Sequence, residues 1–384
     1  MSDALDRVQA AVAAREAAGL RRVLRPRAAS DGVLDLASND YLGLCHDPRV
    51  TAAAADAARR WGGGATGSRL VTGTTELHCD LEDELAAFCR APAALVFSSG
   101  YLANVGVLTA LGGPDVAIVS DAGNHASLID GCRLSGSPTT VVGHRDVAAV
   151  DAALAARDTA YALVVTDAVF SVDGDLAPLA ELHAVARSHG ALLVVDEAHA
   201  LGVIGPHGRG GVEAVGLADE PDVVRTLVLS KSLGAQGGAV LAVPEVIDLL
   251  VNTARPFIFD TGLAPAAAGA ARAALGVLAA EPERVAAVRT NAAALAGVLR
   301  DLAVETIEPD AAVVPGFLGD PRRAFAAATG CLERGVRVGC FRPPSVPPGR
   351  SCLRLTARAD LRSADLDRAA GVLAATLADV GVTG

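Results

Sequence analysis

Aromatic residues make up only 3% of this 384-residue chain, so its interior cannot be organised around large rings. Hydrophobic residues are 51% of the total, much of it alanine, which predicts a core built mainly from Leu, Val and Ala. The length allows one large domain or two to three smaller ones. No C-x-x-C occurs among the seven cysteines, and their number is odd. Both facts argue against a disulfide framework and a zinc site; no metal is expected, and a reducing cytoplasm is. A basic region followed by an apolar run is missing from residues 1–10, which carry Asp3, Asp6 and Arg7, so no secretory signal is expected. Positive charge is in deficit: 33 basic against 44 acidic residues leave −11. Such a surface repels nucleic acid and anionic membranes, and neither is expected as a partner. Residues 91–114 carry no charge, but Ser98, Ser99, Gly100, Asn104 and Pro114 interrupt them. A buried strand followed by a helix is expected there, not a membrane span.

The scarcest functional group is the amine. Of the 33 basic residues, one alone, Lys231, is lysine. Guanidinium stays protonated, whereas an amine can lose its proton and attack a carbonyl. Codon bias accounts for the missing lysines but not for the one that remains.

Short apolar runs at 94–98, 116–120, 140–142, 163–166, 192–195, 226–229 and 239–243 read as strands. Helical patterns at 76–90, 102–111, 128–134, 147–156 and 179–188 lie between most of them. Strands that are apolar on both faces and separated by helices predict an α/β fold with a largely parallel sheet covered on both sides. From about residue 265 the pattern turns helical (265–278, 283–302), then α+β, with helices near 322–334 and 363–377 and a strand at 351–356. The expected organisation is an N-terminal helical arm (1–45), a large α/β domain (46–282) and a small C-terminal α+β domain (283–384).

In an open parallel sheet, ligands bind beyond the carboxyl ends of the strands. Ser98–Tyr101, Asp121 with His125, Ser171 with Asp173, Asp196 with His199, and Ser230 with Lys231 each follow a predicted strand. Five strands would thus deliver polar groups to one edge. The set meets the needs of pyridoxal 5'-phosphate (PLP). Its aldehyde needs an amine, and Lys231 is the only lysine. Its pyridine nitrogen needs a carboxylate. Asp196 ends an apolar run, where a charge must find a partner, although a helix cap before Glu197 would also explain it. His199, in Asp-Glu-Ala-His, suits the phenolic oxygen. The phosphate needs backbone N–H groups at a helix start, which Ser99-Gly100-Tyr101 offers. A substrate carboxylate calls for an arginine fork, with Arg354 and Arg342 as candidates. His78, His144, His183, His189 and His207 read as structural.

These residues sit in longer matching stretches: Ser38-Asn-Asp-Tyr-Leu-Gly43, Gly67-Ser-Arg69, Ser99-Gly-Tyr101, His125-Ala-Ser127, Phe170-Ser-Val-Asp-Gly-Asp175, Asp196-Glu-Ala-His199, Leu229-Ser-Lys-Ser-Leu-Gly234 and Arg342-Pro-Pro-Ser-Val-Pro347. Over essentially its whole length the chain resembles the α-oxoamine synthases, a fold-type-I group of PLP-dependent transferases. The last stretch looks most like the branch serving biotin synthesis. The resemblance implies that Lys231 holds the cofactor as a Schiff base, Asp196 faces its pyridine nitrogen, His199 its phenolic oxygen, and His125 stacks on its ring. It places Ser99, Gly100, Tyr101 and Ser171 against the cofactor, and Arg21, Asn39, Arg342, Ser345 and Arg354 against substrate. Thr261 matches a residue that reaches the neighbouring subunit's phosphate, so a homodimer is implied. The implied reaction is decarboxylative condensation of L-alanine with a pimeloyl thioester of coenzyme A or acyl carrier protein. Sister reactions with glycine plus acetyl-CoA, or serine plus a long acyl thioester, are the alternatives. A nucleotide-dependent oxidoreductase is disfavoured: Gly62-Gly-Gly-Ala-Thr-Gly67 follows a helix end rather than a strand. Free Lys231 acting as a base implies a pKa well below the usual ~10.4. One departure stands out. Val228 replaces the family's phosphate-contacting threonine, and the nearest same-side hydroxyls, Thr226 and Ser230, lie roughly 7 Å away along the strand.

Overall fold

A computed structural model describes residues 3–30 and 32–382 of the protein. The alternation of apolar runs and helical patterns becomes a seven-stranded sheet of order β2-β8-β7-β6-β5-β3-β4. Its strands are β2 (Ala93–Phe97), β3 (Val116–Asp121), β4 (Thr139–Val142), β5 (Tyr161–Asp167), β6 (Leu192–Asp196), β7 (Val223–Val228) and β8 (Gly238–Ala242). The neighbours from β7 to β4 pair in parallel, while β8 runs antiparallel to both β7 and β2. The reversal follows from chain length. Nine residues separate β7 from β8, too few for the crossover that a parallel pair needs.

Side chains along these strands go alternately to two separate clusters. Val119, Val164, Val195 and Leu227 join one; Ile118, Val165, Val194 and Val224 join the other. The period-2 alternation thus buries both faces of the sheet, as the uninterrupted apolar runs require. The uncharged stretch resolves into β2 and the helix Gly100–Leu111, and no helix among the described residues is long and apolar enough to cross a membrane.

A second sheet has the order β1-β10-β11-β9: β1 (Leu34–Leu36), β9 (Val313–Gly319), β10 (Val336–Phe341) and β11 (Ser351–Thr356). Helices Pro321–Glu333 and Ser363–Asp379 belong to the same C-terminal stretch. Three of the four strands escape the sequence pattern. β9 contains Pro315 and Gly316, tolerated because it is an edge strand, and β10 is cut by Gly339. β1 is three residues long and comes from the segment expected as an arm; it pairs in parallel with β10. The arm itself begins with the helix Asp3–Ala17, which buries no residue.

Candidate functional site

β8 is antiparallel to both of its neighbours, so β2 points the same way as β7, and the carboxyl ends of β2, β3, β5, β6 and β7 share one edge. Polar residues from five strands meet there, but β5 contributes Asp167 and not the expected Ser171 or Asp173. A small cavity at that edge is lined by Gly100, Tyr101, Asn104, His125, Ser127, Asp167, Asp196, Ala198, His199, Val228 and Lys231.

Lys231 follows β7 and extends to His199, with Nζ 2.7 Å from Nε2. Burial, with help from the Arg354 charge, lowers the amine to about 8, in line with the expected base. On its other side His199 meets the Tyr41 hydroxyl through Nδ1. Burial first, then the neighbouring Lys231 charge, holds the imidazole well below its ordinary value, so it is neutral. Burial pushes the Tyr41 hydroxyl up to about 12.

Asp196 ends β6 and is 3% exposed. One oxygen accepts from the Ala198 N–H at 2.9 Å, the other from Asn104 Nδ2 at 2.7 Å. The capping interaction foreseen for it exists, though no helix follows. Asn104 is a residue the sequence did not single out. Its amide also donates to Ser127 Oγ at 2.8 Å, and its carbonyl oxygen accepts from Thr226 Oγ1 at 2.6 Å. His125 caps the helix Ala126–Ser135 and lies 2.7 Å from Ser127 Oγ through Nδ1. Burial lowers its pKa. The His125 main-chain N–H donates to Asp167 Oδ2 at 2.7 Å. Asp167, at the end of β5, is a second residue the strand pattern left unmarked.

The phosphate side is built as expected in part. Ser99 caps the helix Gly100–Leu111 by accepting from the Leu102 N–H. A Cβ at Gly100 would lie 2.1 Å from Val228 Cγ1, so only glycine fits this turn. The Tyr101 hydroxyl bonds Asp130. Val228 faces the cavity with methyl groups, and neither neighbour replaces the lost hydroxyl. Thr226 is buried and committed to Asn104. Ser230 is exposed and outside the cavity wall.

Arg354 on β11 is 5% exposed. It donates to Asn39 Oδ1 at 3.2 Å, stacks 5.2 Å from the Phe341 ring, and leaves its buried Nε without a partner. Its charge bears on Lys231, His199 and Tyr41. An under-bonded guanidinium at this place suits a carboxylate.

The remaining expected residues stand elsewhere. Ser345 lines a larger cavity of about 740 Å³, together with Asn124, Phe170, Val172, Pro343, Pro344 and His144. His144, expected to be structural, thus faces that cavity, bonded to Asp121 and Asp175 at 2.9 Å each. The two carboxylates raise it to about 9. Ser171 lines neither cavity, although Phe170 and Val172 wall the larger one. Arg21 is exposed and pairs with Glu16 at 3.0 Å; its neighbour Arg22 is the residue that reaches Ser345, at 3.2 Å. Arg342 donates to the Gly19 carbonyl at 2.9 Å. Thr261 is exposed and lines no part of its own subunit's small cavity.

The arrangement fits PLP on its own evidence. It offers one poised amine, a doubly hydrogen-bonded carboxylate, a neutral imidazole, a helix start open to bare backbone, and two buried polar atoms, Asp167 Oδ1 and Arg354 Nε, still lacking partners. The family model for aminotransferase class I and II matches residues 31–373. An 8-amino-7-oxononanoate synthase of Mycobacterium sp. (strain JLS) is 61% identical over 363 residues, 94% of each chain. A serine palmitoyltransferase of Sphingomonas wittichii superposes with a TM-score of 0.92 at 32% identity, over 100% of this chain and 99% of that one. A high-resolution structure of SPT with PLP matches with a TM-score of 0.92 and 32% identity, over 99% of this chain and 100% of that chain.

Proposed function

The chain belongs to the aminotransferase class I and II family, in its α-oxoamine synthase branch, and from that premise we propose that it makes 8-amino-7-oxononanoate. L-alanine and a pimeloyl thioester are joined, and CO2 and the free thiol carrier leave. The chain is a PLP-dependent acyltransferase of biotin synthesis. The observation that carries this reading is the meeting of its single lysine with His199 and Asp196 at one strand edge, with the Arg354 charge from β11 bearing on that lysine.

When bound, PLP supplies an electron sink for the charge left as the substrate's α-proton departs. The chain's own residues do the rest. Lys231 would hold the cofactor aldehyde and, once free, take up that proton. At about 8 its pKa leaves roughly a tenth of the amine neutral at pH 7. Asp196 would hold the pyridine nitrogen, its two oxygens fixed in place by the N–H groups of Ala198 and Asn104. Neutral His199 would hold the phenolic oxygen beside Lys231, and His125 would cover the ring. Arg354 and Asn39 would fix the amino-acid carboxylate, which orients the Cα–H bond. Arg342 and Ser345 belong to the Pro-rich turn beside the larger cavity, which suits the acyl chain. Arg21, Ser171 and Thr261 carry roles by family position alone. Thr261, exposed on its own subunit, suits a homodimer in which each copy completes the other's site. Such an enzyme would work in the cytoplasm.

The test is CO2 release from carboxyl-labelled amino acids with thioesters of different length. Turnover with alanine and pimeloyl thioester is expected. Turnover with glycine and acetyl-CoA, or serine and a long acyl thioester, and none with that pair, would overturn the substrates and leave the cofactor standing. Light scattering at micromolar concentration is expected to give the mass of a dimer.

A further inference from the structure

Asp167 and Asp196 end adjacent parallel strands and are register partners, 1% and 3% exposed. Partners in neighbouring strands lie about 5 Å apart, with side chains on the same face. Both line the cavity that holds Lys231. Two carboxylates so placed and shielded from water do not both stay ionised. Their surroundings decide which one keeps the charge. Asp196 has a donor on each oxygen. Asp167 has one, the His125 N–H at Oδ2, while buried Oδ1 has none. The charged groups bearing on Asp167 are Asp196 and Asp121, which oppose its ionisation, and Lys231, which favours it. Burial and the Asp196 charge push its carboxyl well above the ordinary range.

We propose that Asp167 is a neutral positioning acid: its carbonyl oxygen holds the His125 main chain, and its hydroxyl at Oδ1 is aimed into the cavity as a hydrogen-bond donor to the bound cofactor. The backbone that carries His125 is then locked to the floor of the site. The inference rests on the PLP reading above.

Asp167→Asn tests it, because the amide keeps an acceptor for the His125 N–H and a donor in place of the hydroxyl, and carries no charge. Two measurements suffice: the PLP dissociation constant of the apoprotein, and the pH midpoint of the visible absorbance of the loaded protein. For Asp167→Asn the dissociation constant is expected within about threefold of wild type and the midpoint within about 0.3 unit. Asp167→Ala, which loses both bonds, is expected to weaken PLP about tenfold or more; Asp167→Ser replaces it if the alanine variant lacks native circular dichroism. A midpoint moved by about one unit or more in Asp167→Asn would mean that a charge was removed, and would overturn the proposal. So would an alanine or serine variant that binds PLP as wild type does. A wild-type protein that takes up no PLP would overturn the cofactor reading itself.

Discussion

The floor of the site and its rim are held together by different means. The floor consists of strand ends and one helix. Asp196, Asn104, Thr226 and Asp167 are all buried; bonds of 2.6–2.7 Å join the first three to one another and Asp167 to the His125 main chain. The rim is the N-terminal segment and the turn after β10, tied by Arg22 to Ser345 and by Arg342 to the Gly19 carbonyl. Charge chemistry needs groups that are pre-positioned and dry, since electrostatic terms grow as water is excluded. Substrate entry needs a boundary that opens cheaply, and isolated bonds at exposed side chains contribute little. Changes in the floor should therefore act on chemistry and cofactor, and changes at the rim on substrate affinity alone.

The strongest challenge to that contrast is Lys231→Ala. It is expected to lower CO2 release by about 10³-fold or more and to abolish borohydride fixation of the cofactor. Substantial remaining turnover would mean the floor does not do the chemistry. Next comes Arg354→Ala, where loss of a buried charged partner should raise the KM for alanine about 100-fold, with a smaller change for the thioester. Equal rises for both substrates would place Arg354 outside the amino-acid subsite. The poised amine predicts a pH effect. Only neutral Lys231 attacks an aldehyde, so PLP capture by the apoprotein should quicken about tenfold per pH unit and level off near 8. A rise continuing past pH 10 would contradict the burial of that amine. Val228→Thr restores a hydroxyl beside Gly100 and should tighten PLP by about three- to tenfold, measured by dialysis. The smallest effect belongs to the rim. Ser345→Ala should change the thioester KM by about threefold at most and leave PLP absorbance untouched.

The strand-end part of the floor was legible along the chain because those residues follow an apolar run. A charged or polar side chain just after a buried strand is conspicuous, and Lys231, Asp196 and the Ser99–Tyr101 turn all have that form. Asp167 has it too, at the end of β5. Asn104 could not be found this way. It lies inside a helix with no period of its own, and its importance comes from Asp196, 92 positions away. The raised pKa of His144 was hidden for the same reason: the partners that raise it, Asp121 and Asp175, sit 23 and 31 positions off.

Sequence alone determined the alternation of strand and helix, the two-sided burial of the central sheet, the lone nucleophile and the glycine at the helix start. These depend on the residue's own chemistry and on periods of 2 and 3.6 that are local. Tertiary structure decided which strand ends become neighbours, and hence which of two adjacent carboxyls has two donors and which has one. It also brought β1 to β10 across some 300 positions, and turned Thr226 toward Asn104 and away from the site opened by Val228. Those outcomes depend on pairings between distant segments, whose closure no local pattern records.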